Sequence, residues 1–318
     1  MTTYFSTYIS GFGEIIEDLL KRKLSDVQIK TNLDGLIIFD SNDPFFAIKN
    51  LRFLNNSFVL LDKNLNKIDR QILSGFKSFR IVYSKENEFT KLDTAALKKI
   101  ESLIFKTLHL KVSRDNPETE FWILKRSEGL KLFGLRITKR ESNLEKGKLR
   151  PELANILCEL SDPTSADVFL DPFAGSGAIV FERTNMAKFQ KIFAGENNKN
   201  VYQVLINKTK RLNVPIIVGK WNATKLGALS DQSVNKIVTD PPWGQYDNTI
   251  NIEELYNKAM LEFYRILKVN GILVILTAQK DLITELLNNY DGKLLLERQF
   301  NILVSGKKAG VFKIIKID

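Results

Sequence analysis

Asp171-Pro172-Phe173-Ala174-Gly175-Ser176-Gly177 lies between an apolar run, Ala166 to Leu170, and a helical run that starts at Ala178. A short buried strand entering a glycine loop that opens a helix is the unit from which parallel sheets are built. The glycines let the backbone come close to a ligand, and the helix that follows offers unpaired amides. A dinucleotide site would ask for Gly-x-Gly-x-x-Gly, but Val180 stands three positions after Gly177. Asp171 at the strand end would also repel a pyrophosphate, while it suits a cationic ligand such as a sulfonium or an amine. A plain structural turn is the alternative for this segment.

Outward from the loop, strand runs at Lys191 to Ala194, Ile216 to Val218, Val234 to Thr239 and Ile272 to Thr277 alternate with helical runs at Asn200 to Leu212 and Ile252 to Leu267. That rhythm predicts an α/β domain, a doubly wound, mostly parallel sheet. Pro151 to Leu160 reads as a helix with Pro151 in its first turn. The ending, Leu294 to Ile302 and Gly310 to Ile317 around Ser305 to Gly310, reads as an appended antiparallel hairpin.

The polar stretch Lys139 to Pro151, broken by Gly147, has the composition of an interdomain linker and divides the chain into 1–140 and 141–318. Before it, strand runs at Tyr4 to Ile9, Phe58 to Leu61, Phe79 to Tyr83, Phe121 to Lys125 and Leu130 to Thr138 predict a smaller α+β domain of one or two βα-type units. Its helices are expected at Glu14 to Leu24, with Ile15, Ile16, Leu19 and Leu20 on one face, at Pro44 to Leu54, and at Asp93 to Leu108, where Asp93 can cap. Val27 to Phe39 reads as a hairpin turning at Asp34-Gly35.

Three further segments carry chemistry. Glu196, followed by Asn197, ends the second strand run; a carboxylate about twenty residues past such a loop can accept bonds from both ribose hydroxyls, although alone it reads as a surface Glu. Asn222 and Ala223, after the third run, offer amides to an adenine edge beside Trp221, which also reads as packing. Thr239-Asp240-Pro241-Pro242-Trp243-Gly244 is the strongest signal. Two prolines remove two donors and stiffen the chain, so the Asp240 carboxylate and its neighbouring carbonyls face outward as acceptors. Trp243 adds a flat face on which a base can stack. The set fits a planar exocyclic amine, against the plainer reading of a stiff loop with a packed Trp.

Composition narrows the chemistry. One cysteine, Cys158, and one histidine, His109, in 318 residues cannot assemble a Cys/His zinc site or a disulfide framework, and a Ser-His-Asp triad would rest wholly on His109. Carboxylates, amides and rings are left to act, with no metal expected. Cys158 falls beside the apolar face of its helix and His109 at a helix end, so both read as structural; Lys208 to Arg211 reads as a solvated helix face. The formal net charge is +10, and residues 1–140 hold seven of those ten surplus charges, which points to a polyanionic partner met mainly by the first part of the chain. No run approaches the roughly 18 apolar residues that span a bilayer, the start lacks the pattern of a signal peptide, and disulfides are absent, so the cytoplasm is expected, with no membrane partner.

The order Asp-Pro-Phe-Ala-Gly-Ser-Gly, a ribose-type acid, then Asp-Pro-Pro-Trp resembles class I S-adenosylmethionine (AdoMet)-dependent methyltransferases acting on exocyclic amines. Leu149-Arg-Pro-Glu-Leu-Ala154 is similar to the segment that precedes the glycine loop in THUMP-domain tRNA guanine-N2 methyltransferases. Tyr4-Phe-Ser-Thr-Tyr, Gly11-Phe-Gly-Glu-Ile-Ile and Asp115-Asn-Pro-Glu-Thr-Glu-Phe-Trp-Ile-Leu124 are similar to their N-terminal RNA-binding region. The resemblance implies a Rossmann-like methyltransferase domain behind a THUMP-like region, AdoMet as cofactor, and tRNA guanine at a position of the 6 or 10 type as substrate. In one branch it also implies a small zinc-binding activator subunit. It further implies that Asp171, Phe173, Ala174, Gly175, Ser176 and Gly177 hold the methionine moiety, Glu196 and Asn197 the ribose, and Asn222 with Ala223 the adenine. Asp240, also next to the cofactor, and the Pro241 carbonyl would accept the amine's hydrogens on the Pro241-Pro242 turn, and Trp243 would stack on the base. The sequence departs from many relatives at Asn222, where they carry Asp, and at Trp243, where they carry Tyr. Trp at the second position also occurs in enzymes acting on adenine. An adenine-N6 methyltransferase, a non-catalytic RNA-binding subunit and a protein-amide methyltransferase remain as alternatives. Cytosine C5 methylation is disfavoured because Cys158 lies upstream of the motifs.

Overall fold

Among the described residues, the alternating and amphipathic runs of the first 138 fold into one nine-stranded sheet with three α-helices. The structure, a computed structural model, describes residues 1–65, 68, 70–138, 148–244 and 251–318. The chain divides into two units, Met1–Ser142 and Asn143–Asp318, and the expected linker lies, over 139–147, outside the described residues.

The first unit runs β1 (Thr2–Thr7), α1 (Gly13–Lys23), β2 (Val27–Leu33), β3 (Leu36–Ser41), α2 (Phe45–Lys49), β4 (Asn56–Leu60), β5 (Ser78–Lys85), β6 (Glu88–Phe89), α3 (Thr94–Leu108), β7 (Lys111–Val112), β8 (Thr119–Lys125) and β9 (Lys131–Arg136). The sheet order is β2-β3-β1-β4-β9-β8-β5-β6, with β7 beside β5. Pairing is antiparallel except where β5 runs parallel to β7 and β8. One sheet thus replaces the expected pair of βα-type units, because β9 pairs with both β4 and β8 and joins the early hairpins to the later strands. Ile15, Ile16, Leu19 and Leu20 are buried on α1 as their spacing predicts, and the Asp93 carboxylate caps α3 by accepting from the Ala95 and Ala96 amides. On α3 Ile104 is buried, while Leu97, Ile100 and Leu108, spaced for the same helical face, are half-exposed. α2 is shorter than expected. The Asn50 amide folds back on the Phe46 and Ala47 carbonyls, after which Leu51, Phe53 and Leu54 are buried from a non-helical segment. Glu120 is buried where Arg80, Arg136 and the Trp122 indole N–H converge on its carboxylate, the compensation a buried charge needs.

The second unit runs α4 (Pro151–Leu160), β10 (Val168–Asp171), α5 (Ala178–Thr184), β11 (Lys191–Gly195), α6 (Lys199–Thr209), β12 (Ile216–Gly219), β13 (Val234–Thr239), α7 (Ile252–Ile266), β14 (Leu267–Thr277), α8 (Lys280–Asn288), β15 (Leu294–Val304) and β16 (Lys307–Lys316). Its seven strands are ordered β12-β11-β10-β13-β14-β16-β15, the first five parallel and β16 antiparallel to both its neighbours. From β10 the chain steps outward to β11 and β12, then crosses back to β13, so the order reverses between β10 and β13. Ligands of such sheets bind outside the carboxyl ends of the strands at that reversal. One face of the sheet, with Leu170, Ile237, Leu273 and Ile275, packs on Met260 and Phe263 of α7 and Ile283 and Leu286 of α8. α8 was not among the expected helices, and β14 starts five residues earlier than the run at Ile272 suggests. The hairpin turn is tighter than expected, confined to Ser305 and Gly306, both in the left-handed region.

Cys158 is fully buried between α4 and α5, its thiol donating to the Ile179 carbonyl and pushed well up by burial. His109 is the exposed left-handed cap of α3. Among the described residues, no helix is long and apolar enough to cross a membrane. Arg183, the largest fully buried side chain, donates to the Ala187 and Thr164 carbonyls and pairs with Asp167 at 3.1 Å. Arg183→Met leaves that carboxylate and those carbonyls short of donors, and a loss of about 3 kcal/mol is expected in urea unfolding of the purified chain.

Candidate active site

The carboxyl end of β10 sets the floor of the site. Asp171 is 1% exposed; one oxygen accepts from the Thr239 hydroxyl of β13 at 2.9 Å and from the Phe173 amide at 3.2 Å. Its other oxygen, Oδ2, is buried with no hydrogen-bond partner. Burial first, and then the nearby Asp240 and Glu196 charges, push this carboxyl up to about 7. An orphaned carboxylate oxygen held under a glycine loop is a standing acceptor for a cation or an N–H.

The loop above it is sewn to β11. The Ala174 amide donates to the Gly195 carbonyl at 2.8 Å and the Gly175 amide to Glu196 Oε2 at 3.1 Å; Glu196 Oε1 accepts from the Asn198 amide at 2.6 Å. Gly177 sits at φ +91°, and a Cβ there would lie 2.6 Å from the Phe181 ring and 2.7 Å from Leu205, so glycine is what lets α5 start this close to α6. Beyond β12, the Trp221 ring lies over Gly219, where a Cβ would fall within 2.0 Å of it, and tilts against Phe193 at 5.9 Å. Asn222 Oδ1 accepts from both the amide and the hydroxyl of Thr224, forming a small turn.

The end of β13 carries the stiff loop. Pro241 is buried and Pro242 exposed. The Trp243 indole N–H donates to Asp240 Oδ1 at 2.9 Å, while burial pushes the Asp240 carboxyl up to about 7. The Pro242 carbonyl can only accept, so the Tyr256 hydroxyl donates to it, at 3.1 Å. Thr277 then donates to Tyr256 and receives the Gln279 amide; the Gln279 side chain reaches the Trp243 carbonyl at 2.7 Å. α7 and the end of β14 thus pin the loop from behind.

These ends surround a cavity of about 830 Å³, within the range of nucleoside-sized ligand sites. Its wall includes Phe173, Glu196, Asn197, Trp221, Asn222, Ala223 and Asp240 to Trp243, and also Lys148, Leu149, Leu255, Val304, Ser305 and Lys307. Asp171, Ala174, Gly175, Ser176 and Gly177 do not line it: Asp171, Ala174 and Gly177 are buried beneath, and Gly175 and Ser176 are half-buried. Sequence reasoning missed Tyr256, Thr277 and Gln279, whose spacing reads only as core. It also missed the hairpin tip, which nothing local marks as part of a site. The residues after Gly244, 245–250, lie outside the described residues.

Residues 138–305 match the family UPF0020, the RMKL-like methyltransferase domain. The chain is 35% identical over 148 residues to a probable tRNA (guanine(10)-N2)-dimethyltransferase of Methanothermococcus thermolithotrophicus, covering 44% of this chain and 88% of that protein. It is 25% identical over 210 residues to the tRNA (guanine(6)-N2)-methyltransferase of Methanocaldococcus jannaschii, covering 52% of this chain and about half, 53%, of that longer protein. In structure it is similar to TrmN from Thermus thermophilus, with a TM-score of 0.77 at 18% identity over 100% of both chains, a likeness of fold.

The buried carboxyl makes a testable demand on stability. Asp171 is neutral in both states below its ordinary value of 3.8; between there and about 7 the unfolded chain ionises it while the folded chain keeps its proton. Stability therefore falls as pH rises through that window and levels off above it. Urea unfolding from pH 5 to pH 8 is expected to show a steeper fall for the natural chain than for Asp171→Asn; parallel profiles would contradict the assignment.

Proposed function

This chain belongs to the UPF0020 family of RMKL-like methyltransferase domains, and from that premise we propose that it methylates the exocyclic N2 amine of a guanine in tRNA. It is a methyltransferase whose cofactor is AdoMet. The observation that carries the proposal is the placement of Asp240, on a loop pinned by Tyr256 and Gln279, in one cavity with Glu196 and Asn222.

The site fits the cofactor. An orphaned Asp171 oxygen lies under the glycine loop, Glu196 and Asp240 line the cavity, and a positively charged sulfonium and ammonium suit that acidic set. When bound, AdoMet supplies an electrophilic methyl group on a sulfonium. Its methionine end would lie over the glycine loop, where Phe173 lines the cavity and Asp171, Ala174 and Gly177 are buried beneath, with Glu196 and Asn197 at the ribose hydroxyls and Asn222 and Ala223 at the adenine. Because Thr224 occupies Asn222 Oδ1, the Asn222 amide hydrogens are the part turned to the base.

A guanine amine is a weak nucleophile, since its lone pair is spread into the ring. Asp240 and the Pro241 carbonyl accept its two hydrogens, which favours a pyramidal nitrogen and fixes its direction of attack. Trp243 fixes one Asp240 oxygen through its indole N–H and offers its ring face to the base. A carboxyl pushed up to about 7 can take the proton that the methylated nitrogen sheds and release it to water near neutral pH. A guanine paired in a helix is first flipped out, at a cost of a few kcal/mol. The first unit, carrying most of the surplus positive charge, serves as a THUMP-like region that binds the tRNA, and the protein works in the cytoplasm. Positions 10 and 6 are the targets named for the two relatives, and the guanine here is of that type.

Asp240→Ala is expected to keep AdoMet affinity within a few-fold, by calorimetry, while tRNA methylation falls at least about a hundredfold. Undiminished turnover would overturn the role of Asp240.

A further inference from the structure

We infer that the tip of the β15–β16 hairpin is a phosphate clamp, in which Lys307 holds the RNA backbone beside the nucleotide that reacts at Asp240. The inference rests on the proposed RNA substrate and adds a residue that selects a polynucleotide over a free nucleoside.

Strand order places the clamp. The cofactor side of the cavity comes from the ends of β10, β11 and β12, and Asp240 follows β13. β14 and then β16 lie on the other side of β13. With strands about 4.8 Å apart, β16 stands about 10 Å from β13, away from the cofactor wall. Thr277, the last residue of β14, pairs with Gly310, so Lys307 lies three residues, or about 10 Å, beyond the end of the neighbouring strand. The hairpin therefore rises past the carboxyl ends of the sheet, and Val304, Ser305 and Lys307 line the cavity there. The two-residue turn at Ser305 (φ +51°) and Gly306 (φ +80°) gives that projection a defined shape.

Charge differs along the cavity. Glu196 and Asp240 line it, with Asp171 buried below, on the side that receives a cationic cofactor; Lys307 lines it at the hairpin tip, and Lys308 is exposed beside the tip. Carboxylates repel a phosphate and lysines repel a sulfonium, so each ligand has one favourable side. Lys280 hydrogen-bonds Asn301 at 3.0 Å and braces the hairpin from within. A lysine ammonium is a compact charge on a flexible stem, suited to a phosphate and indifferent to base identity.

The test uses the full chain, AdoMet labelled in the methyl group, and unmodified tRNA transcripts. K307Q is expected to raise the KM for tRNA about tenfold with kcat and the AdoMet Kd within twofold, and K307R to restore most of the loss. The slope of log Kd for tRNA against log salt should become shallower by about 0.7 to 0.9, the change for one lost phosphate contact. K258Q, at an exposed lysine paired with Glu254 on α7, should change none of these. An unchanged KM and salt slope for K307Q would overturn the clamp, as would a loss of AdoMet affinity with tRNA binding intact, since the lysine would then serve the cofactor. A natural chain that binds but does not methylate tRNA would overturn the functional reading instead, leaving the clamp to be decided by the salt slope of binding alone.

Discussion

One hydrogen bond, from the Thr239 hydroxyl to the buried carboxyl of Asp171, joins the two strand ends on which the site is built. β10 and β13 are neighbours in the sheet although 62 residues lie between Asp171, which ends one, and Val234, which starts the other. They meet where the strand order reverses, and the crevice this opens at their carboxyl ends is where a ligand can enter. The glycine loop leaves from one end and the Asp-Pro-Pro-Trp loop from the other, so the position of each depends on that contact.

The same contact explains the electrostatics. Burial is the main reason the Asp171 carboxyl is pushed up, and the nearby Asp240 and Glu196 charges add to it. An uncompensated cluster of carboxylates is unfavourable in the folded protein; it becomes favourable when a cation joins it. The chain leaves Asp171 Oδ2 without a partner, whereas both carboxylate oxygens of the buried Glu120 in the other unit accept hydrogen bonds.

Much of this was legible in the sequence because the chemistry is contiguous there. The glycine loop, the acid at Glu196 and the Asp-Pro-Pro-Trp loop each follow a short apolar run, and a parallel sheet puts all such run ends on one edge. The sequence was blind where a contact depends on strand order. Tyr256 is spaced as a core residue of α7, yet its hydroxyl holds the Pro242 carbonyl; Thr277 and Gln279 reach the same loop because β14 lies beside β13. The hairpin tip enters the cavity only because β16 inserts between β14 and β15. In the first unit the longer strands were legible, the two-residue β6 and β7 were not, and the merger into one sheet was not, since it depends on β9 pairing with β4 more than seventy residues away.

The central claim is that the acceptors at Asp240 present a guanine amine, and no other base nitrogen, to the cofactor. The most direct measurement is mass spectrometry of nucleosides from unmodified tRNA incubated with the purified chain and AdoMet bearing a deuterated methyl group. The account predicts the label in N2-methylguanosine or N2,N2-dimethylguanosine, in a fragment containing position 6 or 10. Label in N6-methyladenosine, or in no nucleoside, would contradict it.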